Sequence, residues 1–152
     1  MRFWKICRRR YLAAALRGEG AALFPGRWNS RGTRLVYTST SLALAAVESF
    51  VNLEPKLQPD DLVAIAGEVP SALEVERIGT ASLPAGWERH RPESLQRMGD
   101  DWARAGRTVA LLVPSAPVRG EWNLLLNPAH AEFARVTFEP AERFAFDLRM
   151  FR

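Results

Sequence analysis

A chain of 152 residues with 47% hydrophobic and 25% charged side chains can bury one substantial core, and its composition excludes a disordered polypeptide. Its single cysteine, Cys7, excludes a disulfide framework and a cysteine-based zinc site, and fits a reducing, cytoplasmic setting. The net charge of +4 rests on nineteen arginines and two lysines, Lys5 and Lys56. Such a bias suits a phosphate- or carboxylate-bearing ligand, and a generally arginine-rich composition also produces it.

The opening stretch MRFWKICRRRYLAAALRGEG holds an apolar run only from Tyr11 to Leu16, too short for a signal peptide, and no window reaches the length of a membrane span. Arg8-Arg9-Arg10 is either a contact for nucleic acid or, as is commoner for three basic residues before a short helix, a solvated face. The chain is expected to begin with a strand over Arg2–Cys7 and a short helix over Arg10–Leu16 ending near Gly18, followed by a long loop or pair of turns, GEGAALFPGRWNSRGTR. Leu35–Ser39 reads as a strand and Ser41–Asn52 as a helix with serine and threonine available for its cap. Leu62–Val69 is expected as a strand, and SALEVERIGTASLPAGW as irregular. RPESLQRMGDDWARAG has the marks of a helix, with Pro92 near its start and Gly106 just past its end. Strands are expected over Thr108–Val113, stopped by Pro114, and Trp122–Leu126, stopped by Asn127-Pro128. A helical turn near Ala129–Phe133 and strands over Arg135–Phe138 and Arg143–Leu148 complete the chain. Many strands and few helices, not in strict alternation, predict an α+β fold. It would be one compact domain over residues 1–152, with a mixed or antiparallel β core flanked by short helices.

Between Leu35 and Leu53 the only charged residue is Glu48. The helix carrying it is apolar nearly all round, which predicts packing on most sides and a carboxylate aimed into a cleft or at a buried cation. Two readings follow: a core ion pair with an arginine, or a catalytic acid. The preceding segment GRWNSRGTRLVYTS bears on the choice. Gly26 and Gly32 serve either as plain turn residues or as places where the backbone approaches a ligand, and Trp28 taken alone is a core residue. Arg27 can clamp a phosphate, and Tyr37 offers a flat face to an aromatic ring. Arginine, tyrosine and a lone buried glutamate together are the parts needed to bind a dinucleotide and cleave its glycosidic bond.

Other candidates are weaker. Asn127 is a turn former or a ligand contact. His130 reads as structural, Asp100-Asp101 as solvated helix surface with no companion set for a metal, and Glu121 as part of an exposed loop. Ser115 follows an apolar strand between two prolines. With only two histidines in the chain and neither visibly placed to activate it, it is not read as a nucleophile.

The segments GRWNSRGTRLVYTSTSLALAAVE, LLVPSAPVRGEWNLLLNPAH and FAFDLRMF resemble the RES-domain family, the toxin components of bacterial toxin–antitoxin modules paired with Xre-type antitoxins. The family is named for an arginine, a glutamate and a serine, which match Arg27, Glu48 and Ser115. The resemblance runs from Phe3 to the end, and only Ser71 to Arg91 has no feature that aligns. It implies a fold similar to ADP-ribosyltransferase toxins and cleavage of NAD at the nicotinamide–ribose bond. Water, phosphate or a protein would be the acceptor, making the enzyme a glycohydrolase, a phosphorolase or an ADP-ribosyltransferase. In that chemistry Glu48 would stabilise the cation-like ribose or orient its 2′-hydroxyl. Arg27 would hold the pyrophosphate, Tyr37 would stack on the nicotinamide or fix its ribose, and Ser115 would hydrogen-bond the substrate. Trp28, Asn29, Ser39 and Asn127 complete the expected NAD-binding set. NAD would be substrate, with no resident cofactor and no metal. An Xre-type antitoxin would occlude the site in a hetero-oligomer, with DNA reached only through that partner and no membrane involved. A reading of another class, a basic nucleic-acid-binding module without enzymatic activity, predicts strongly salt-dependent binding. Against it, aromatic and basic residues do not interleave in a recognised motif.

Overall fold

The structure is a computed structural model, and it describes residues 1–54, 58–90 and 93–152; Lys56 and the helix-start position of Pro92 lie outside the described residues. Among the described residues eight strands build one sheet: β1 (Arg2–Arg8), β2 (Val36–Ser39), β3 (Leu62–Glu68), β4 (Val75–Arg77), β5 (Ala110–Pro114), β6 (Trp122–Leu126), β7 (Thr137–Phe138) and β8 (Glu142–Arg143). Their order is β4-β5-β6-β2-β1-β3-β7, with β8 also paired to β3. The pair β4 and β5 runs parallel, and the other pairs among the described residues are antiparallel. Among the described residues four α-helices accompany the sheet: α1 (Leu12–Leu16), α2 (Glu19–Leu23), α3 (Leu42–Phe50) and α4 (Glu93–Ala105). The fold is α+β with a mixed sheet, as the sequence predicts.

Side-chain alternation along the strands divides the apolar residues between the two faces of the sheet. On β6, Leu124 and Leu126 join Phe3 and Val36 in one cluster, while Leu125 joins Leu111 and Val113 in another, under Trp102 and Leu95 of α4. A smaller third cluster seats Ala45 of α3 on Ile6 and Leu62, flanked by Phe144 and Phe146. Helix α4 lies close over the loop before β2. A Cβ at Gly99 would stand 1.8 Å from the Trp28 carbonyl oxygen, so only glycine lets the two backbones meet there.

The join between β1 and its two neighbours is unequal. Seven residue pairs link β1 to β3, from Arg2↔Glu68 to Arg8↔Leu62, whereas among the described residues the register between β1 and β2 is the one pair Trp4↔Ser39. The sheet therefore consists of two halves held at one point, and they splay apart beyond it.

Several expectations are corrected. The predicted loop after Gly18 contains α2, because Gly18 at φ 68 makes the left-handed turn that reverses the chain, and Glu19 supplies an acid to the first helical turn. The irregular stretch after Ser71 contains β4, whose three residues pair in parallel with β5. The helical turn lies at Phe133–Arg135 rather than Ala129–Phe133. The expected strand Arg143–Leu148 stops at Arg143, since Phe144 and Phe146 turn under α3 and a 3-10 turn closes Leu148–Phe151. Helix α3 is not packed on most sides. Leu44 and Ala45 are its buried residues, and Leu42 at the N-terminal end and Val51 just past the C-terminal end stay exposed.

Candidate active site

The splay between β1 and β2 opens into a cleft of about 870 Å³, within the range of about 300–1,000 Å³ usual for small-molecule sites. Trp4 and Lys5 of β1, Tyr37 and Ser39 of β2, Glu48 of α3 and Asn123 of β6 all line it.

Glu48 is carried by a helix whose start is fixed by Ser41, whose hydroxyl accepts the Leu44 amide at 3.1 Å. Its carboxylate is half-buried, and two donors converge on one oxygen: Ser115 Oγ at 2.8 Å and Asn123 Nδ2 at 2.5 Å both reach Oε1. Among the described residues Oε2 receives no hydrogen bond, and no arginine pairs with the carboxylate. The ion-pair reading of Glu48 is thereby replaced by a hydrogen-bonded carboxylate with one anchored oxygen. Ser115 is buried at the start of the β5–β6 connection, where its amide donates to Glu121 O at 2.9 Å and its hydroxyl also accepts from Val118 N at 3.3 Å. Asn123 faces the cleft because it shares the parity of Leu125 on β6. Its Oδ1 accepts from Ser39 Oγ at 2.8 Å, and Ser39 is its register partner on β2. Ser39, Asn123, Glu48 and Ser115 thus form one continuous chain of hydrogen bonds across two strands, a helix and the β5–β6 connection.

Arg27 also lines the cleft, but its guanidinium donates to backbone carbonyls, with Nη1 to Trp87 O at 2.5 Å and His90 O at 2.8 Å and Nη2 to Glu88 O at 3.2 Å. It ties the loop over residues 87–90 into the cleft wall. Tyr37 presents its ring to the cleft while its hydroxyl donates to Asn29 Oδ1 at 2.7 Å and accepts the Trp28 amide at 3.1 Å. Gly26 makes room for that contact: a Cβ there would meet Tyr37 Oη at 2.6 Å. Asn29 is fully buried, and its amide holds the loop together by donating to Ala21 O, Ser30 O and Thr33 O while Oδ1 accepts from Gly26 N. Trp28 is 2% exposed within the cluster under α4, although one edge borders the cleft. Asn127 lies at the far end of β6, outside the cleft lining, bonded to Ala103 O and to the Ala129 amide. Asp100, expected on a solvated surface, is buried and accepts from Ser30 N at 3.0 Å and from Ser30 Oγ.

Two site residues escape the sequence reading. Asn123 is a polar residue inside an apolar strand, and only its parity with Leu125 hints that it faces the cleft. Lys5 is a lysine inside the strand RFWKICR, and its Nζ donates to Tyr37 O at 3.0 Å across the splay. Desolvation lowers the pKa of this ammonium from the usual lysine value, with neighbouring Cys7 opposing the shift, and burial raises that of the Cys7 thiol. Among the described residues no group of three histidine, cysteine or acidic side chains is placed to hold a metal, and no helix is long and apolar enough to cross a membrane.

A carboxylate anchored by one oxygen, an aromatic wall and a cation in a cleft of ligand size are equipped to hold a polar, anionic molecule and to face a developing positive charge. Comparison with known proteins agrees on the architecture. Over 99% of this chain and 86% of the other, the fold matches the toxin–antitoxin complex structure of M. tuberculosis MbcT–MbcA with a TM-score of 0.67 at 16% identity. In sequence, the chain is 36% identical over 155 residues to a Prs ADP-ribosylating toxin of Sphingobium sp. (strain YBL2), covering 99% of this chain and 96% of that protein. It is 31% identical over 153 residues to Toxin Res of Yersinia enterocolitica, covering 99% of each. The RES domain profile matches residues 2–147, nearly the whole length, and on that match and these identities the chain belongs to the RES domain family.

Proposed function

We propose that this chain is the toxin of a toxin–antitoxin pair and that it cleaves NAD at the nicotinamide–ribose bond. The observation that carries the reading is the Glu48 carboxylate, set in the cleft with Oε1 fixed by Ser115 and Asn123. The bond from ribose C1′ to the pyridinium nitrogen breaks, its electron pair leaves with neutral nicotinamide, and positive charge grows on the ribose. Oε2 of Glu48 faces that charge or takes a hydrogen bond from the 2′-hydroxyl, while Ser115 and Asn123 keep the carboxylate from rotating. The acceptor oxygen then bonds to C1′ and releases its proton. Tyr37 forms the aromatic wall for nicotinamide or its ribose, and Arg27 builds the wall formed by residues 87–90 and keeps its charge on the diphosphate side.

Purified protein incubated with NAD, with water, inorganic phosphate or protein as acceptor, is expected to release nicotinamide. Glu48→Ala is expected to lower the rate by at least about a hundredfold. Absence of release under every acceptor condition would overturn the enzymatic reading, and a Glu48→Ala rate equal to wild type would remove Glu48 from it.

A second reading, transfer of ADP-ribose to a protein, is favoured by the name of the Sphingobium relative. Mass spectrometry of acceptor proteins separates it from hydrolysis and phosphorolysis. The partner proposed is an antitoxin of the Xre type that covers the cleft, with DNA reached only through it. The MbcT–MbcA complex supports an antitoxin partner. Co-expression with candidate antitoxins, small helix-turn-helix proteins of the Xre type, is expected to relieve growth arrest and yield a stable complex, and failure of every such pairing refutes it.

A further inference from the structure

We infer that Lys5 is an anion-binding group of the cleft, donating hydrogen bonds to a phosphoryl oxygen of the bound molecule. The inference deepens the NAD reading, on which it rests for the identity of the ligand. The site itself is defined by this chain's own geometry.

The argument begins with the splay. After the pair Trp4↔Ser39, an unbroken ladder would bring the β1 backbone against Thr38 and Tyr37. The Lys5 side chain enters the gap instead and satisfies the Tyr37 carbonyl with one of its three N–H donors. Around it, Cys7 is a thiol whose burial favours the neutral form, and Arg8 is paired with Asp61 at 2.8 Å. Glu48 is held at Oε1 by Ser115 and Asn123, and Arg27 is bonded to carbonyls. Among the described residues no carboxylate pairs with Lys5.

A half-buried ammonium on the cleft wall that has, among the described residues, one carbonyl partner and no counter-charge is an unfavourable arrangement, and desolvation lowers its pKa accordingly. A purely structural lysine would be matched by an acid or would extend its ammonium into water. A phosphoryl anion in the cleft supplies both the missing charge and the missing acceptors, and it places the ligand's negative end between β1 and β2 while Glu48 meets its cationic end. The anion has two possible sources, the diphosphate of a dinucleotide or free inorganic phosphate acting as acceptor.

The two lysines of the chain make the test direct. Protein labelled with 13C at lysine Cε gives two ε signals, and a Lys56→Arg variant assigns them. Titration with ADP-ribose is expected to move the Lys5 signal and leave Lys56 in place, and nicotinamide riboside, which lacks a phosphate, is expected to leave both unmoved. Lys5→Met is expected to weaken ADP-ribose binding by about tenfold or more, with Lys5→Arg retaining most of it. Movement with inorganic phosphate alone assigns the site to a free phosphate acceptor. If ADP-ribose does not bind wild type but phosphate still moves Lys5, the dinucleotide reading fails and the anion site stands. If ADP-ribose and phosphate both saturate without moving Lys5, or Lys5→Met binds with the wild-type Kd, the inference is overturned. The labelled wild-type protein decides the matter even if Lys5→Met does not fold.

Discussion

Asn123 is the residue whose replacement tests the orientation of Glu48 most sharply. It accepts from Ser39 at Oδ1 and donates to Glu48 Oε1 through Nδ2, so Asn123→Asp preserves size while turning a donor into an acceptor. The loss has two parts. A hydrogen bond to a charged group contributes about 1.5–3 kcal/mol, and its removal frees the carboxylate to rotate away from the ribose. Two carboxylates in contact repel by up to about 4 kcal/mol at an effective dielectric constant of about 20. Partial proton sharing relieves some of that repulsion. A net loss of about 2–4 kcal/mol in transition-state stabilisation corresponds to a fall of about 30- to 1,000-fold in rate. Asn123→Ala removes only the hydrogen bond, and its expected loss is about 10- to 150-fold. The assay is nicotinamide release at saturating NAD, with KM measured alongside. The loss should fall mainly on kcat, because Asn123 orients the acid rather than binding the substrate's remote parts. Combining Asn123→Ala with Ser115→Ala should give less than the sum of the two single effects, since both hold the same oxygen. An Asn123→Asp enzyme as fast as Asn123→Ala, or a loss confined to KM, would refute this account.

Two further predictions concern the frame around the site. Gly99→Ala forces a Cβ to 1.8 Å from the Trp28 carbonyl, so α4 and the loop carrying Arg27 must separate; a loss of at least about 1–3 kcal/mol in urea unfolding is expected, and an unchanged midpoint would show the contact to be adaptable. Lys5 predicts a pH dependence of stability. Its folded pKa lies below the ordinary lysine value of about 10.4, so within that window the unfolded chain binds more protons and wild-type stability gains as pH rises. Lys5→Met should therefore exceed wild type in stability below the window, with the gap narrowing toward pH 10. Taking the difference between the two chains removes most of the opposite slope contributed by Cys7, and a gap independent of pH would refute the assignment.

What was legible in the sequence follows from what sequence patterns encode. The run WNLLL, stopped by Asn127-Pro128, specifies Trp122–Leu126 as a strand, and a proline near the start with Gly106 just past the end marks out α4. The isolation of Glu48 in an apolar segment singles it out for the cleft it lines. Partner identity is another matter, because it depends on which strands become neighbours. Asp100 looks like half of an exposed acidic pair, yet α4 lays it against Ser30, seventy residues away. Asn29 looks like a ligand contact, yet all its polar atoms hold its own loop and Tyr37. Asn123 lies 75 residues from Glu48, and no local pattern anticipates that bond.

The point where the two sheet halves meet explains why the cleft and the oriented acid occur together. Ser39 pairs with Trp4 on one side, making the junction between β1 and β2, and with Asn123 on the other. Its hydroxyl donates to Asn123 Oδ1, which fixes the amide so that Nδ2 points at Glu48. Two residues away, Tyr37 gives its carbonyl to Lys5 and its hydroxyl to the loop of Arg27. A continuous ladder between β1 and β2 would satisfy these backbone groups internally and close the cleft. Stopping the ladder at one pair leaves backbone and side-chain groups on both strands to be satisfied by Lys5, by Asn123 and by whatever binds between them. The opening in the sheet is therefore the source of the site's polarity, and β2, the strand that borders it on one side, ties Asn123 and Lys5 to the same short stretch of backbone.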